Sequence, residues 1–165
     1  MKRFITFIVV TVMVVCVKQA DTIQPLPAFN DRWEVRAGNY ADKPIFIRIN
    51  RGLDSIAKHA PLSYQAAASV SLKYPLESGL SDENELIALK RIEKMLTYRL
   101  VATGLAVHGL EVQSDGRYDF IYYTENKDAV EKVFGHIKVL VTDYNIDFSI
   151  KRDKRWITYK WFSTL

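Results

Sequence analysis

The chain has 165 residues, of which 23 are Lys or Arg and 19 are Asp or Glu, so its formal net charge at neutral pH is +4. Its single cysteine, Cys16, excludes an internal disulfide and any zinc site built from several cysteines. The glycines form neither a dinucleotide-binding nor a phosphate-binding pattern, and no Gly-x-Ser-x-Gly elbow occurs. We therefore expect no nucleotide cofactor, and stability must come from burial of a core.

The first twenty residues have the pattern of a secretory signal. Lys2 and Arg3 precede the uncharged run Phe4–Val17, and Ala20 suits the position before a cleavage site. The run is shorter than the roughly 20 residues that a membrane-spanning helix needs. We predict that residues 1–20 are a signal peptide and that the mature protein is extracytoplasmic, either periplasmic or secreted.

Two residues at the end of this segment keep alternatives open. Lys18 lies two places before Ala20, where a small residue is preferred, so an uncleaved anchor formed by residues 4–17 is one alternative. Lipid modification of Cys16 is another. The segment holds three basic and no acidic residues, so its removal leaves 20 basic against 19 acidic residues and a charge of about +1. We therefore expect no nucleic-acid partner, and contact with a membrane only if the segment is retained.

The rest of the chain is predicted to be a linker, residues 21–30, followed by one domain, residues 31–165. In chain order, the first predicted elements are a hairpin of Asp31–Val35 and Ile45–Ile49, joined by the turn-rich Ala37–Pro44, and then a strand Tyr64–Tyr74. A helix follows that starts at Ser81–Glu85 and stops near Gly104, and after it come strands Leu105–Gln113 and Arg117–Thr124, joined by Asp115-Gly116. The last two elements are a helix capped by Asn126 and a strand Ile146–Ile150.

From Tyr64 onward this order is strand, helix, strand, strand, helix, strand. It predicts an α+β fold, a ferredoxin-like split βαβ sandwich (βαββαβ) with both helices on one face, preceded by an N-terminal β-hairpin extending or covering the antiparallel sheet. The alternating small alanines of Tyr64–Tyr74 leave room for a closely packed helix. Both sides of Arg117–Thr124 are apolar or aromatic, and we expect the hairpin to cover the side that faces away from the helices.

Several short motifs together resemble one family. They are Asp31-Arg32-Trp33, Pro44-Ile45-Phe46, Glu77-Ser78-Gly79-Leu80, Ile92-Glu93, the run from Asp115 to Tyr123, and Trp156-x-x-Tyr159. On these motifs the segment Asn30–Phe162 is similar to the bacterial family called domain of unknown function 695. The resemblance implies a ferredoxin-like fold, distantly similar in layout to the regulator of ribonuclease E activity B, which acts by binding another protein. The family often has Asp-Pro before the tryptophan, and Asp153-Lys154-Arg155-Trp156 departs from that pattern.

The residues that most often carry catalysis form no recognisable constellation. His59, His108 and His136 do not stand in the local ligand pairs that zinc sites use, so we predict no metal site. Glu93, in the first helix, and Asp119, in a strand, are candidates for a buried acid or base, although pairing with Lys or Arg is the commoner fate of such residues. We therefore predict no catalytic residue.

The stretch that best suits a ligand lies near the C-terminus. The predicted binding surface combines basic and aromatic residues: Lys151, Arg152, Lys154, Arg155, Trp156 and Tyr159. Such residues can bind a polyanion and stack on its rings, but the aromatic pair also suits a core. We favour a non-catalytic binding module with a protein partner. A hydrolase whose site forms only in three dimensions and a binder of anionic ligands are the alternatives, and the oligomeric state is left open.

Overall fold

The structure, a computed structural model, describes residues 29–58 and 61–165, so the predicted signal segment, most of the linker and His59 lie outside the described residues. The strands are β1 (Trp33–Tyr40), β2 (Lys43–Asn50), β3 (Tyr64–Ser71), β4 (Val107–Ser114), β5 (Arg117–Thr124) and β6 (Ile146–Arg152), and the helices are α1 (Glu83–Leu100), α2 (Lys127–Leu140) and α3 (Ile157–Thr164). Among these helices, none is both long enough and apolar enough to cross a bilayer.

The six strands form one sheet in the order β1-β2-β4-β5-β3-β6, and every neighbouring pair is antiparallel. The predicted α+β class is confirmed. Of the two roles predicted for the N-terminal hairpin, the structure shows the first, because β2 pairs with β4 and the hairpin extends the sheet. The outermost strands are therefore β1 and β6.

Helices α1 and α2 cover the same face of the sheet, as predicted, and their apolar stripes share one core cluster with that face. Ala66 and Ala68 of β3 are fully buried beneath them, so the small residues do let the helices approach closely. Each helix begins where a cap residue stands in the sequence. Asp82 accepts a hydrogen bond of 2.7 Å from the Glu85 N–H, and Asn126 accepts one of 3.0 Å from the Ala129 N–H.

The opposite face of the sheet differs from the prediction. Ile121 and Tyr123 of β5 are covered by Trp156 and Tyr159 and by Leu53, Ile56 and Leu62, not by the hairpin. The hairpin lies in the plane of the sheet because its backbone groups pair with β4, so it cannot also lie over β5. The C-terminal chain fills that place instead, and it does so as helix α3, which the sequence does not predict.

Several predicted boundaries were also wrong. β1 and β2 are longer than expected because Ala41 and Asp42, both with positive φ (50° and 63°), join them in a two-residue turn. β3 ends at Ser71 instead of Tyr74, because the backbone N–H groups of residues 73 and 74 donate to the Glu85 carboxylate instead of a neighbouring strand. β4 begins and ends later than predicted, at Val107 and Ser114, and β6 continues to Arg152.

Candidate functional site

The structure separates the predicted C-terminal binding surface into two parts. Trp156 and Tyr159 belong to the core, with 0% and 2% of their surfaces exposed. The Trp156 ring stacks on Tyr123 with centroids 3.8 Å apart, and its indole N–H donates to the Leu62 carbonyl at 2.9 Å. These two rings are therefore not free to stack on a ligand.

The four basic residues of that surface are exposed. Lys151 and Arg152 end β6, and Lys154 and Arg155 lie in the turn before α3. Asp153, between the two pairs, is buried and accepts hydrogen bonds from the N–H groups of Ile157 (2.8 Å) and Thr158 (3.3 Å), so it caps α3. The structure therefore offers four cations to solvent without an aromatic platform, and their binding of a ligand stays a prediction.

The basic pair Lys151 and Arg152 belongs to a strand whose outer edge pairs with no strand among the described residues. The Ser71 N–H donates to the Asn145 carbonyl at 3.0 Å and the Asp153 N–H to the Ser63 carbonyl at 2.8 Å. With the register of β3 and β6, these bonds direct the backbone groups of odd-numbered residues 145–153 toward β3. The N–H and C=O groups of residues 146, 148, 150 and 152 therefore point away from the sheet.

A groove of about 480 Å³ lies between this edge strand and α2. Phe134 of α2 and Phe148 and Ile150 of β6 give it an apolar lining, and its charged lining is balanced, with Lys127 and Lys138 against Glu131 and Asp147. It also contains Gly135, where an added Cβ would meet no atom within 4 Å. Along the α2 side of β6, the unpaired edge is thus accompanied by open space.

A second constellation lies on the α1–α2 face, beside the hairpin. It contains Arg48 of β2, Glu93 of α1, His108 and Glu111 of β4, and Tyr118 of β5, here called the charge cluster. Its members come from four elements that are far apart in the chain. Of the two carboxylates named from the sequence, Glu93 belongs to this cluster and Asp119 does not.

A bulge brings His108 and Glu111 to the same face. Residues three apart in a regular strand point to opposite faces, but the register of β4 on β5 shifts between His108 and Leu110, so Gly109 is an extra residue. A Cβ at Gly109 would lie 3.2 Å from the Tyr123 ring, which explains the glycine. The sequence prediction overlooked this pair, and a glycine inside an apolar strand is the signal that could have revealed it.

Glu111 is the centre of the charge cluster. Its two carboxylate oxygens each lie 2.7 Å from Nη1 of Arg48, and Oε2 also accepts a hydrogen bond of 2.5 Å from the Tyr118 hydroxyl. Oε1 of Glu93 lies 3.6 Å from the same Arg48 nitrogen. One guanidinium therefore serves two carboxylates, and only Arg48 and Glu93, with side chains 23% and 21% exposed, connect the cluster to solvent.

Burial sets the protonation of the cluster. Burial and the nearby charge of Glu93 raise the pKa of Glu111 to about 7. Burial and the charge of Arg48 lower the pKa of His108 to about 3, so its ring is neutral at neutral pH. His108 Nε2 lies 3.9 Å from Glu111 Oε1 and has no hydrogen-bond partner among the described residues.

Aromatic rings enclose the imidazole. His108 stacks on Tyr122 with ring centroids 4.4 Å apart and meets Trp33 of β1 edge-on at 4.9 Å. Trp33 also lies below the Arg48 guanidinium, with 4.9 Å between Cζ and the ring centroid. The hairpin therefore contributes both the cation and an aromatic wall to the charge cluster.

Residues 31–163 match a family described as a family of unknown function (DUF695). The chain belongs to this family. The resemblance stated from the sequence motifs is confirmed. No curated protein and no solved structure matches the chain. In this DUF695 chain the motifs quoted above contribute Trp33, Glu93 and Tyr118 to the charge cluster and its walls, and Trp156 and Tyr159 to the core beneath α3.

Proposed function

We propose that this DUF695 protein is a non-catalytic binding domain that takes up an extended segment of a partner protein along the outer edge of β6. The single observation that carries the proposal is the outer edge of β6, which pairs with no strand in the described part of the chain, beside the groove under α2. Peptides that add a strand to an exposed sheet edge gain affinity from backbone hydrogen bonds and specificity from pockets for alternate side chains. The β6 edge offers the first, and the groove offers the second.

We also infer a ferredoxin-like split βαβ layout for β3 to β6. The strand order β4-β5-β3-β6 supports it, since each βαβ unit has one strand between its two parallel strands. The position of α1 and α2 on one face supports it as well. In such a layout β6 is an outer strand by construction, so the binding edge would be a consequence of the fold.

The charges around β6 favour a particular partner. Lys151 and Arg152 are exposed at the C-terminal end of the strand, whereas the groove carries Lys127 and Lys138 balanced by Glu131 and Asp147. Acidic side chains on the incoming segment would therefore be attracted to Lys151 and Arg152. Alternate residues of that segment would face the apolar lining under α2, as the two-residue period of a strand requires. The proposed ligand is an extended segment with alternating apolar residues and acidic residues beside Lys151 and Arg152.

We further propose that the protein works outside the cytoplasm. The basic start at Lys2 and Arg3 and the apolar run Phe4–Val17 support this proposal. Edman sequencing of the protein from the extracytoplasmic fraction tests it. A start at Asp21 supports export with cleavage, an intact Met1 in the membrane pellet contradicts cleavage and favours the anchored alternative, and recovery of the protein only from the cytoplasmic fraction contradicts the proposal.

Selection of short random peptides on the immobilised full chain tests the binding proposal. The selected peptides should alternate apolar residues and carry acidic residues toward one end. Gly135→Gln fills the groove, and because Gly is a poor helix residue the change should not weaken α2. We expect it to reduce affinity for a selected peptide by about tenfold or more, which is about 1.4 kcal/mol or more. Lys132→Gln, at an exposed α2 position outside the groove lining, is the matched control and should bind like wild type.

Two outcomes contradict the proposal. Unchanged peptide affinity in Gly135→Gln places the binding elsewhere. Concentration-dependent dimerisation that Gly135→Gln abolishes, without peptide binding, makes a second copy of the chain the occupant. That outcome has a physical basis, because antiparallel pairing of two β6 strands about Ser149 would set Asp147 opposite Lys151 and Phe148 opposite Ile150.

A hydrolase is the second candidate, and the observation that favours it is the charge cluster. Burial and Glu93 raise the pKa of Glu111 to about 7, which suits a general acid or base. Turnover of a panel of ester, peptide and glycoside substrates tests this candidate. Activity that Glu111→Gln abolishes and Glu131→Gln, at an exposed α2 residue, leaves intact would favour the enzyme over the binding module.

A further inference from the structure

The charge cluster contains three side chains of the types that bind transition metals. Ligand atoms of Glu93, His108 and Glu111 all lie within 4.8 Å of one another. We propose that these three residues bind a divalent transition-metal ion, and that Arg48 holds the place of the cation when no metal is bound. This site is independent of the β6 edge, since it lies on different strands and beside the hairpin.

His108 gives the observation that points to a ligand. Its side chain is 7% exposed, and Nε2 faces the Glu111 carboxylate at 3.9 Å without a hydrogen-bond partner among residues 29–58 and 61–165. Buried polar atoms are nearly always satisfied in native proteins, and an exception calls for an explanation. A metal ion bound between His108 Nε2 and the Glu111 carboxylate would give Nε2 the partner that it lacks among the described residues.

The three ligand atoms have to move closer together to hold an ion. Metal bonds of about 2.0–2.2 Å to nitrogen and oxygen place neighbouring ligand atoms roughly 3–3.5 Å apart. Nε2 of His108 and Oε1 of Glu111 are 3.9 Å apart and need to approach by about half an ångström. Separations in the three-ligand set extend to 4.8 Å, so the Glu93 side chain has to move by roughly 1–2 Å to complete the site. One imidazole and two carboxylates are ligands that suit Zn²⁺, Mn²⁺, Fe²⁺ or Co²⁺. Ca²⁺ and Mg²⁺ fit this set less well, because they prefer sites made of oxygen ligands alone.

Arg48 has a route out of the site. Its Nη1 atom now lies between the carboxylates, 2.7 Å from Glu111 and 3.6 Å from Glu93. The side chain is 23% exposed and lies over the Trp33 ring, so the guanidinium can move outward along an aromatic surface. A dication with two carboxylates and a neutral imidazole forms a neutral group, so Arg48 would no longer be needed for charge balance.

Cobalt binding by the full chain, first treated with EDTA and then dialysed, tests the proposal. Co²⁺ added alone should bind at one ion per chain and give the visible d–d bands of a low-coordinate site, and Zn²⁺ should displace it. His108→Phe and Glu93→Gln should each weaken Co²⁺ binding by about 100-fold or more, since the loss of an outer-shell partner alone typically costs about 10–100-fold. Arg48→Gln should tighten it by about tenfold or more, because no buried ion pair has to be broken.

Matched variants separate this site from adventitious binding. His136→Phe and Glu131→Gln change the same residue types at exposed positions of α2 and should leave Co²⁺ affinity unchanged. If His108→Phe does not fold, Glu93→Gln decides alone, since the Glu93 side chain is on the solvent side of the cluster. The proposal is overturned if wild type takes up no Co²⁺, if Glu93→Gln binds it as tightly as wild type, or if Arg48→Gln binds it more weakly.

Discussion

Replacement of His108 by Phe should change how stability depends on pH. His108 is buried and neutral, because burial and the charge of Arg48 lower its pKa from 6.5 to about 3. Phe keeps a ring of similar size on Tyr122, whose centroid lies 4.4 Å from that of the imidazole. The variant therefore removes a titrating group while it retains most of the packing.

The direction of the change in stability with pH follows from how many protons the folded and unfolded chains bind. Below pH 6.5 the unfolded chain binds a proton at residue 108 that the folded chain cannot bind until about pH 3. His108 therefore contributes stability that is present above 6.5 and is lost as the pH falls. Between pH 7.5 and pH 5.0 the loss is roughly 2 kcal/mol, at about 1.36 kcal/mol per unit below the unfolded pKa. Since pH 5.0 is well above the folded pKa, this figure depends only on the unfolded value.

Urea unfolding at pH 7.5 and pH 5.0, in EDTA, measures this loss. The free energy of unfolding of His108→Phe minus that of wild type should rise by roughly 2 kcal/mol from pH 7.5 to pH 5.0. Contributions from all other groups, including Glu111, cancel in that difference as long as their pKa values are shared. His136→Phe, at an exposed position, should show no such rise. A difference between His108→Phe and wild type that is equal at both pH values refutes the assignment of a neutral, buried imidazole.

Four further substitutions, one of them a surface control, test the packing by denaturant unfolding. Trp156→Ala should lower the free energy of unfolding by about 3–5 kcal/mol, and Arg155→Ala should lower it by less than about 0.5 kcal/mol. Equal losses would contradict the burial of the tryptophan beside an exposed arginine. Gly109→Ala should lower the free energy of unfolding by about 1–3 kcal/mol, because the new Cβ meets the Tyr123 ring, which Trp156 holds in place. An unchanged free energy of unfolding would mean that the ring can move. Asp153→Ala should cost about 0.5–2 kcal/mol and increase hydrogen exchange at the start of α3, whereas unchanged exchange would show that Asp153 is not its cap.

Local sequence patterns predicted α1, α2 and the hairpin of β4 and β5 between them, because all the residues that form each pattern lie close together in the chain. The apolar stripe of α1 and its cap at Asp82 are both readable in sequence. Helix α3 was not predicted because its signals are unusual. Trp156 before it has positive φ, its cap Asp153 lies four residues before the first helical residue, and Ile157, Thr158 and Tyr159 favour strands.

The candidate sites depend on tertiary structure and could be predicted only in part. Glu93 was named from the sequence, but its neighbours Arg48 and Glu111 come from strands that meet it only after the hairpin joins the sheet. The pairing of His108 with Glu111 needs the bulge, because the extra residue Gly109 shifts the alternation of β4 by one and so turns Glu111 to the same face as His108. The four basic residues of the C-terminal surface were predicted, whereas the groove beside them depends on how α2 lies over β6.

Amide hydrogen exchange along β6, measured by NMR with and without a peptide selected on the wild-type chain, tests the proposed function most directly. The N–H groups of Phe148 and Ile150 point away from β3, so they should exchange quickly in the free protein. The peptide should slow both, and it should leave Ser149, whose N–H already faces β3, nearly unchanged. Protection that appears elsewhere while Phe148 and Ile150 continue to exchange quickly would contradict strand addition at this edge.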